Sequence, residues 1–135
     1  LSQSIPAPQQ IDSLLLAADP VIPKTVEKIR HIRKIYRKER NAVMVKELFS
    51  LSGVLADETG KKIILMLDEF HALECLPALD PFGLLGKEIM LEKDTLYCVS
   101  SSSVKLAQEI LRDKLSLLFS NFEIFKLSPF EKMVP

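Results

Sequence analysis

The chain is 135 residues long, 47% apolar and 27% charged, the proportions of one globular domain and too rich in Leu and Ile for disorder. Its 18 Lys and Arg balance its 18 Asp and Glu. No apolar run approaches the roughly 20 residues of a membrane helix and no charged-then-apolar leader opens the chain, so a soluble, cytoplasmic protein without membrane contact is expected.

In chain order, residues 1–10 (LSQSIPAPQQ) are Pro/Gln-rich and read as a linker or the remnant of an upstream segment. The first residue is Leu1 rather than methionine, and the last five, EKMVP, follow what looks like the opening of another helix. A piece of a longer protein is therefore expected, with residues 11–135 forming an incomplete domain. IDSLLLAA reads as a short helix with Asp12 near its start, stopped before Pro20. Pro23 sits at a permissible helix start, and the spacing predicts a long helix near 24–52, broken at Gly53 or, after VLADET, at Gly60.

The start of that helix is basic. Residues 24–40 hold eight Lys or Arg, Lys24 first and Arg40 last, against Glu27 and Glu39, a local +6. Residues 57–94 hold nine acids against four lysines, a local −5. Clustered cations can serve nucleic acid by releasing counterions from phosphate. Val26, Ile29, Ile32 and Tyr36 recur at helical spacing, however, so a solvated helix face is the preferred reading and nucleic acid the alternative.

Strands are expected near 62–67 (KIILML), 95–100 (TLYCVS) and 122–127 (FEIFKL). Between them, LGKEIMLEKD reads as a helix, and a second helix near 103–119 carries apolar residues at Val104, Ala107, Ile110, Leu111, Leu115 and Leu118. Alternation of helix and strand makes an α/β fold with a parallel sheet the economical architecture. Both IILML and the Val99 end of LYCV look buried on two faces, as internal parallel strands should. The two cysteines, Cys75 and Cys98, lie 23 positions apart without a Cys-x-x-Cys and read as reduced core residues.

The chemistry centres on IILMLDEFHAL. In doubly wound sheets ligands bind beyond the carboxyl ends of the strands, where Asp68 and Glu69 are expected. An Asp there can hold Mg²⁺, directly or through water, against nucleotide phosphates, because Mg²⁺ prefers hard oxygen ligands and keeps several waters. A neighbouring Glu can orient or deprotonate the attacking water. A few apolar residues ending in Asp-Glu form a Walker B pattern; the competing reading is two carboxylates capping a turn. Asp-Glu-x-His is also the motif II form of one helicase class, and His71 reads either as that histidine or, preferably, as a loop residue bonded locally. The expected companion, Gly-x-x-x-x-Gly-Lys-Ser/Thr, is absent from the sequence. GLLGKE has Glu88 where a hydroxyl belongs and its glycines too close together; DETGKK leads into a strand rather than a helix.

The order IILMLDEFHAL, LYCVSSSSVKL, KLSLLFSNFEIFKLSPF resembles the AAA-like archaeal-type ATPases of the STAND class of P-loop NTPases, over about half the chain. The resemblance implies a three-layer α/β/α fold, ATP and Mg²⁺ as cofactors, and hydrolysis or an ATP-driven switch. It makes Asp68 the Mg²⁺-associated aspartate and Glu69 the water-activating glutamate. Ser101 falls at the family's glycine and Ser102 at the serine that senses the γ-phosphate. Leu127, Pro129 and Phe130 match the exit from the last strand. Ser120 and Asn121 stand where the family carries Gly-Arg, and Asn121 supplies no positive charge. The family's phosphate loop and first strand lie upstream of this region, and its sheet order is 5-1-4-3-2. KIILML and TLYCVS should therefore pair, with FEIFKL displaced or closed onto TLYCVS and a sheet edge left unprotected. The alternatives are a helicase-like motor fragment using DEFH with SSSS, and a non-catalytic interaction domain retaining the fold. An oligomer or a protein partner fits any of these.

Overall fold

The computed structural model describes residues 8–38 and 41–127. Helix α1 (Pro8–Ala18) extends into the segment expected to be a linker. The long helix expected near 24–52 is instead three: α2 (Pro23–Lys38), α3 (Ala42–Phe49) and α4 (Leu51–Thr59). Short polar side chains explain the breaks. Asn41 is extended (φ −140°, ψ −179°), and its Oδ1 accepts from the N–H groups of Val43 and Met44 at 3.1 and 3.2 Å, starting a new helix where the old one would have continued. At the next junction Ser50 donates its Oγ back to the Glu47 carbonyl. Gly53 does not end a helix, and Gly60 does: it closes α4 in the left-handed region (φ 63°), which favours glycine.

Strands β1 (Ile63–Leu67) and β2 (Thr95–Val99) pair in parallel, from Ile63 opposite Thr95 to Leu67 opposite Val99, with helix α5 (Pro81–Leu91) in the connection between them. Asp80 caps α5 through the Gly83 N–H (2.8 Å), with Pro81 at the first turn, where its missing N–H costs nothing. Leu67 and Tyr97 pack against Met44, Val45, Phe49 and Leu85, while Leu67 and Val99 meet a second cluster of Phe70, Phe82, Ile110, Leu111 and Leu115. Both clusters lie on one side of the sheet. On the other side Ile64, Met66 and Leu96 are 65, 73 and 64% exposed. The expectation of strands buried on both faces is thus overturned, and with it the third layer among the described residues. Cys98 shares the bare face, and Cys75 is also exposed; neither is a core residue.

The helix expected near 103–119 begins as α6 (Val104–Glu109), widens into a π-turn over Ile110–Lys114, and finishes as a 3₁₀ turn over Ser116–Asn121. The widening, seen in the Leu115 N–H bond to the Ile110 carbonyl at 2.9 Å, lets Ile110, Leu111 and Leu115 share one buried cluster. Segment 122–127 forms no strand, correcting that expectation. A strand exists only where a neighbour takes up its backbone groups. Phe122 packs on the Phe70 cluster, and beyond it Ile124, Phe125 and Leu127 run out exposed without joining the sheet. Pro129 and Phe130 lie outside the described residues, as does Arg40.

Two carboxylates bind the helical layer together. Glu58 of α4 accepts from the Lys24 and Thr25 N–H groups and the Thr25 hydroxyl at 2.7–2.8 Å, capping α2 from a neighbouring helix. Glu92 accepts from Gly53 N–H (2.9 Å), Ser52 Oγ (3.0 Å) and Tyr97 OH (2.6 Å), pinning α4 to β2. Gly53 leaves room for this approach, since a Cβ there would stand 2.7 Å from Glu92 Oε1 and the carboxylate would have to shift. Burial, and then the Glu92 bond, push the Tyr97 phenol well above its ordinary range. On the basic helix, Arg33 pairs with Asp12, Arg30 with Asp19 and Lys28 with Glu47, while Val26 is fully buried. Among the described residues no helix is long and apolar enough to cross a membrane.

Candidate functional site

The parallel pairing of β1 and β2 brings both carboxyl ends to one edge, so the residues after Leu67 face those after Val99. Two backbone bonds fasten the exits: the Ser100 N–H donates to the Leu67 carbonyl and the Phe70 N–H to the Ser100 carbonyl, each at 2.9 Å. The turn after β1 carries Asp68 and Glu69, the 3₁₀ turn Phe70–Cys75 carries His71, and the loop after β2 carries Ser100 to Ser103. Phe70 anchors the first turn in the core, edge-on to Phe82 with ring centroids 6.4 Å apart.

Asp68 is exposed. Its Oδ1 accepts from Ser100 Oγ at 2.5 Å and from the Glu69 N–H at 3.0 Å. Glu69 has φ 49° and ψ 47°; among the described residues it is the one non-glycine in the left-handed region, a strained conformation that aims its side chain across the turn. Glu69 Oε2 accepts from the Ser102 N–H at 2.9 Å and lies 3.3 Å from His71 Nδ1. The bonds from Ser102, and then the nearby His71, hold the Glu69 carboxyl below the usual carboxylate range, against partial desolvation and the charge of Asp68. His71 Nδ1 is also 2.9 Å from Ser101 Oγ.

All the residues expected to carry chemistry at the strand ends are therefore brought together: Asp68 and Glu69 with Ser101 and Ser102, and His71 between them. Ser100 is an addition. It bonds the Asp68 carboxylate directly, and within the run SSSS only the strand register distinguishes it from its neighbours. Ser103 is structural, accepting from the Leu106 N–H at 3.4 Å at the start of α6. Ser120 and Asn121 sit at the end of the last 3₁₀ turn, both exposed, with the Ser120 hydroxyl 3.4 Å from Asn121 Oδ1.

Among the described residues no three His, Cys, Asp or Glu side chains converge to hold a metal ion. The donors present, one exposed carboxylate beside a hydroxyl, suit an ion held through water and completed by phosphate oxygens, and do not suit a protein-only cage. Neither Gly-Lys pair occupies a strand-to-helix turn: Gly60 and Lys61 lead from α4 into β1, while Gly86 and Lys87 lie inside α5, with Gly86 buried. Gly86 is small for packing, since a Cβ there would come within 3.2 Å of Leu115. Comparison of the chain with protein-family models, with curated proteins and with solved structures finds no match.

Proposed function

We propose that this chain is the metal-and-water half of an ATP-binding module, an ATPase or ATP-driven switch of the AAA-like P-loop class. One observation carries the reading: an Asp-Glu pair and a serine loop stand side by side at the carboxyl ends of adjacent parallel strands, hydrogen-bonded to each other. Ligands of open α/β sheets bind at that edge. The order of the segments IILMLDEFHAL and LYCVSSSSVKL supports the same assignment.

In this reading Asp68, whose position is fixed by Ser100, would hold Mg²⁺ through water. The bound ion supplies charge neutralisation at the phosphates. Glu69 would orient and deprotonate the attacking water once its carboxylate is free of the Ser102 N–H, and Ser101 and Ser102 would be the polar groups offered to the bound nucleotide. No Gly-Lys turn cradles phosphate among the described residues, so this chain alone is expected to bind Mg-ATP weakly.

Titration of the full chain with ATP and Mg²⁺, followed through backbone amide resonances, tests this. Shifts are expected first at Asp68, Glu69 and Ser100 to Ser102, lost in Asp68→Ala. Shifts that gather elsewhere, or persist unchanged in Asp68→Ala, would end the assignment. A non-catalytic interaction domain is the second reading, favoured by the bare sheet face at Ile64, Met66 and Leu96.

A further inference from the structure

We propose that His71 is a positioning residue that parks the Glu69 carboxylate on the serine loop and so latches the two strand-end loops together. The proton inventory of the cluster assigns its role. Ser101 Oγ has one proton and stands 3.2 Å from the Ser103 carbonyl, to which it donates; it accepts from the Ser103 N–H, also at 3.2 Å. With that donation made, Ser101 meets His71 as an acceptor, and the tautomer assigned to His71 carries its hydrogen on Nδ1, which the nearby Glu69 carboxylate also favours. Glu69 Oε2 lies 3.3 Å from the same Nδ1, where a bare nitrogen lone pair would repel the carboxylate.

His71 thus touches both loops, donating to Ser101 after β2 and standing 3.3 Å from the Glu69 carboxylate after β1. The Ser102 N–H completes the cradle from the other side. The strain of Glu69 fits this arrangement: a left-handed backbone at a non-glycine residue persists where surrounding contacts over-determine it. Two groups on separate elements, the His71 ring and the Ser102 amide, supply that determination. The catalytic meaning of the latch rests on the proposed function, in which Glu69 must leave Ser102 to act on water. The latch itself does not depend on it.

The test is amide hydrogen exchange by NMR on the full chain without nucleotide, together with the ring nitrogen shifts of His71. The wild type is expected to show the Nδ1–H tautomer when neutral and a protected Ser102 amide. Glu69→Ala should speed Ser102 exchange by about tenfold, the worth of one charge-assisted hydrogen bond. His71→Ala should produce a comparable rise, and His71→Asn, whose amide nitrogen can occupy the place of Nδ1, should reverse most of it. The Leu65 and Cys98 amides, both within the strand ladder, should keep their wild-type rates in every variant. An Nε2–H tautomer, wild-type Ser102 exchange in His71→Ala, or equal acceleration in the strands would each overturn the proposal. Because no nucleotide is present, such a failure is separable from a failure of the ATP titration.

Discussion

Replacing Glu92 should reveal how much of the fold depends on a single carboxylate. In Glu92→Ala the Gly53 N–H and the Tyr97 hydroxyl lose their acceptor, while Ser52 retains a contact to the Phe49 carbonyl at 3.4 Å. Two stranded donors at a half-buried site, at about 1–1.5 kcal/mol each, amount to a loss of about 2–3 kcal/mol. One effect opposes this: Glu92 repels the buried carboxylate of Glu88 one helical turn earlier, and its removal relieves that. Glu92→Gln keeps an acceptor oxygen and relieves the same repulsion, so it should cost no more than about 1 kcal/mol. Urea unfolding followed by far-ultraviolet circular dichroism measures both. With a slope of about 1.5 kcal/mol per molar urea, the alanine midpoint should fall by about 1.5 M at constant slope. If Glu92→Ala unfolds within 0.3 M of the wild type, or the glutamine variant falls as far as alanine, the link between α4 and β2 is not made by these hydrogen bonds.

Phe82→Ala, at a side chain only 1% exposed and stacked edge-on to Phe70, should destabilise by about 3–5 kcal/mol in the same assay and loosen the turn that carries His71. Asn41→Ala removes the cap that starts α3 and should cost about 1 kcal/mol, with Asn41→Asp retaining most of the stability. Burial, and then Glu92, raise the Glu88 carboxyl above its ordinary value. The folded state therefore binds this proton more tightly than the unfolded chain, and the group destabilises at neutral pH, an effect that fades as pH falls through the folded value toward the unfolded one. Glu88→Gln should accordingly stabilise by about 0.5–1 kcal/mol at pH 7 and lose that advantage near the ordinary carboxylate value, as a series of urea titrations across pH would show.

The strand pair and the place of the Asp-Glu pair at its end were legible because they rest on local signals. IILML and TLYCV are short, β-branched-rich or aromatic, and bounded by turn residues, and the Asp-Glu pair follows the first directly. The helices were harder. Val26, Ile29, Ile32 and Tyr36 carry helical spacing without marking where the helix stops, and the break is marked locally by the capping behaviour of Asn41. The exposed Ile64, Met66 and Leu96 misled in the other direction. An apolar run reads as buried on both faces whether or not anything covers the second, and coverage is a property of the tertiary arrangement. For FEIFKL the composition is that of a strand, and the missing ingredient is a neighbour. At the site, residue identity pointed to Asp68 and Glu69, but the hydrogen bonds from Ser100 and Ser102 depend on the register of β1 against β2.

The bare side of the sheet has a cellular consequence. A chain that displays Ile64, Met66, Leu96 and the exposed tail at Phe125 and Leu127 offers chaperones and proteases the apolar surface by which they recognise unfinished proteins.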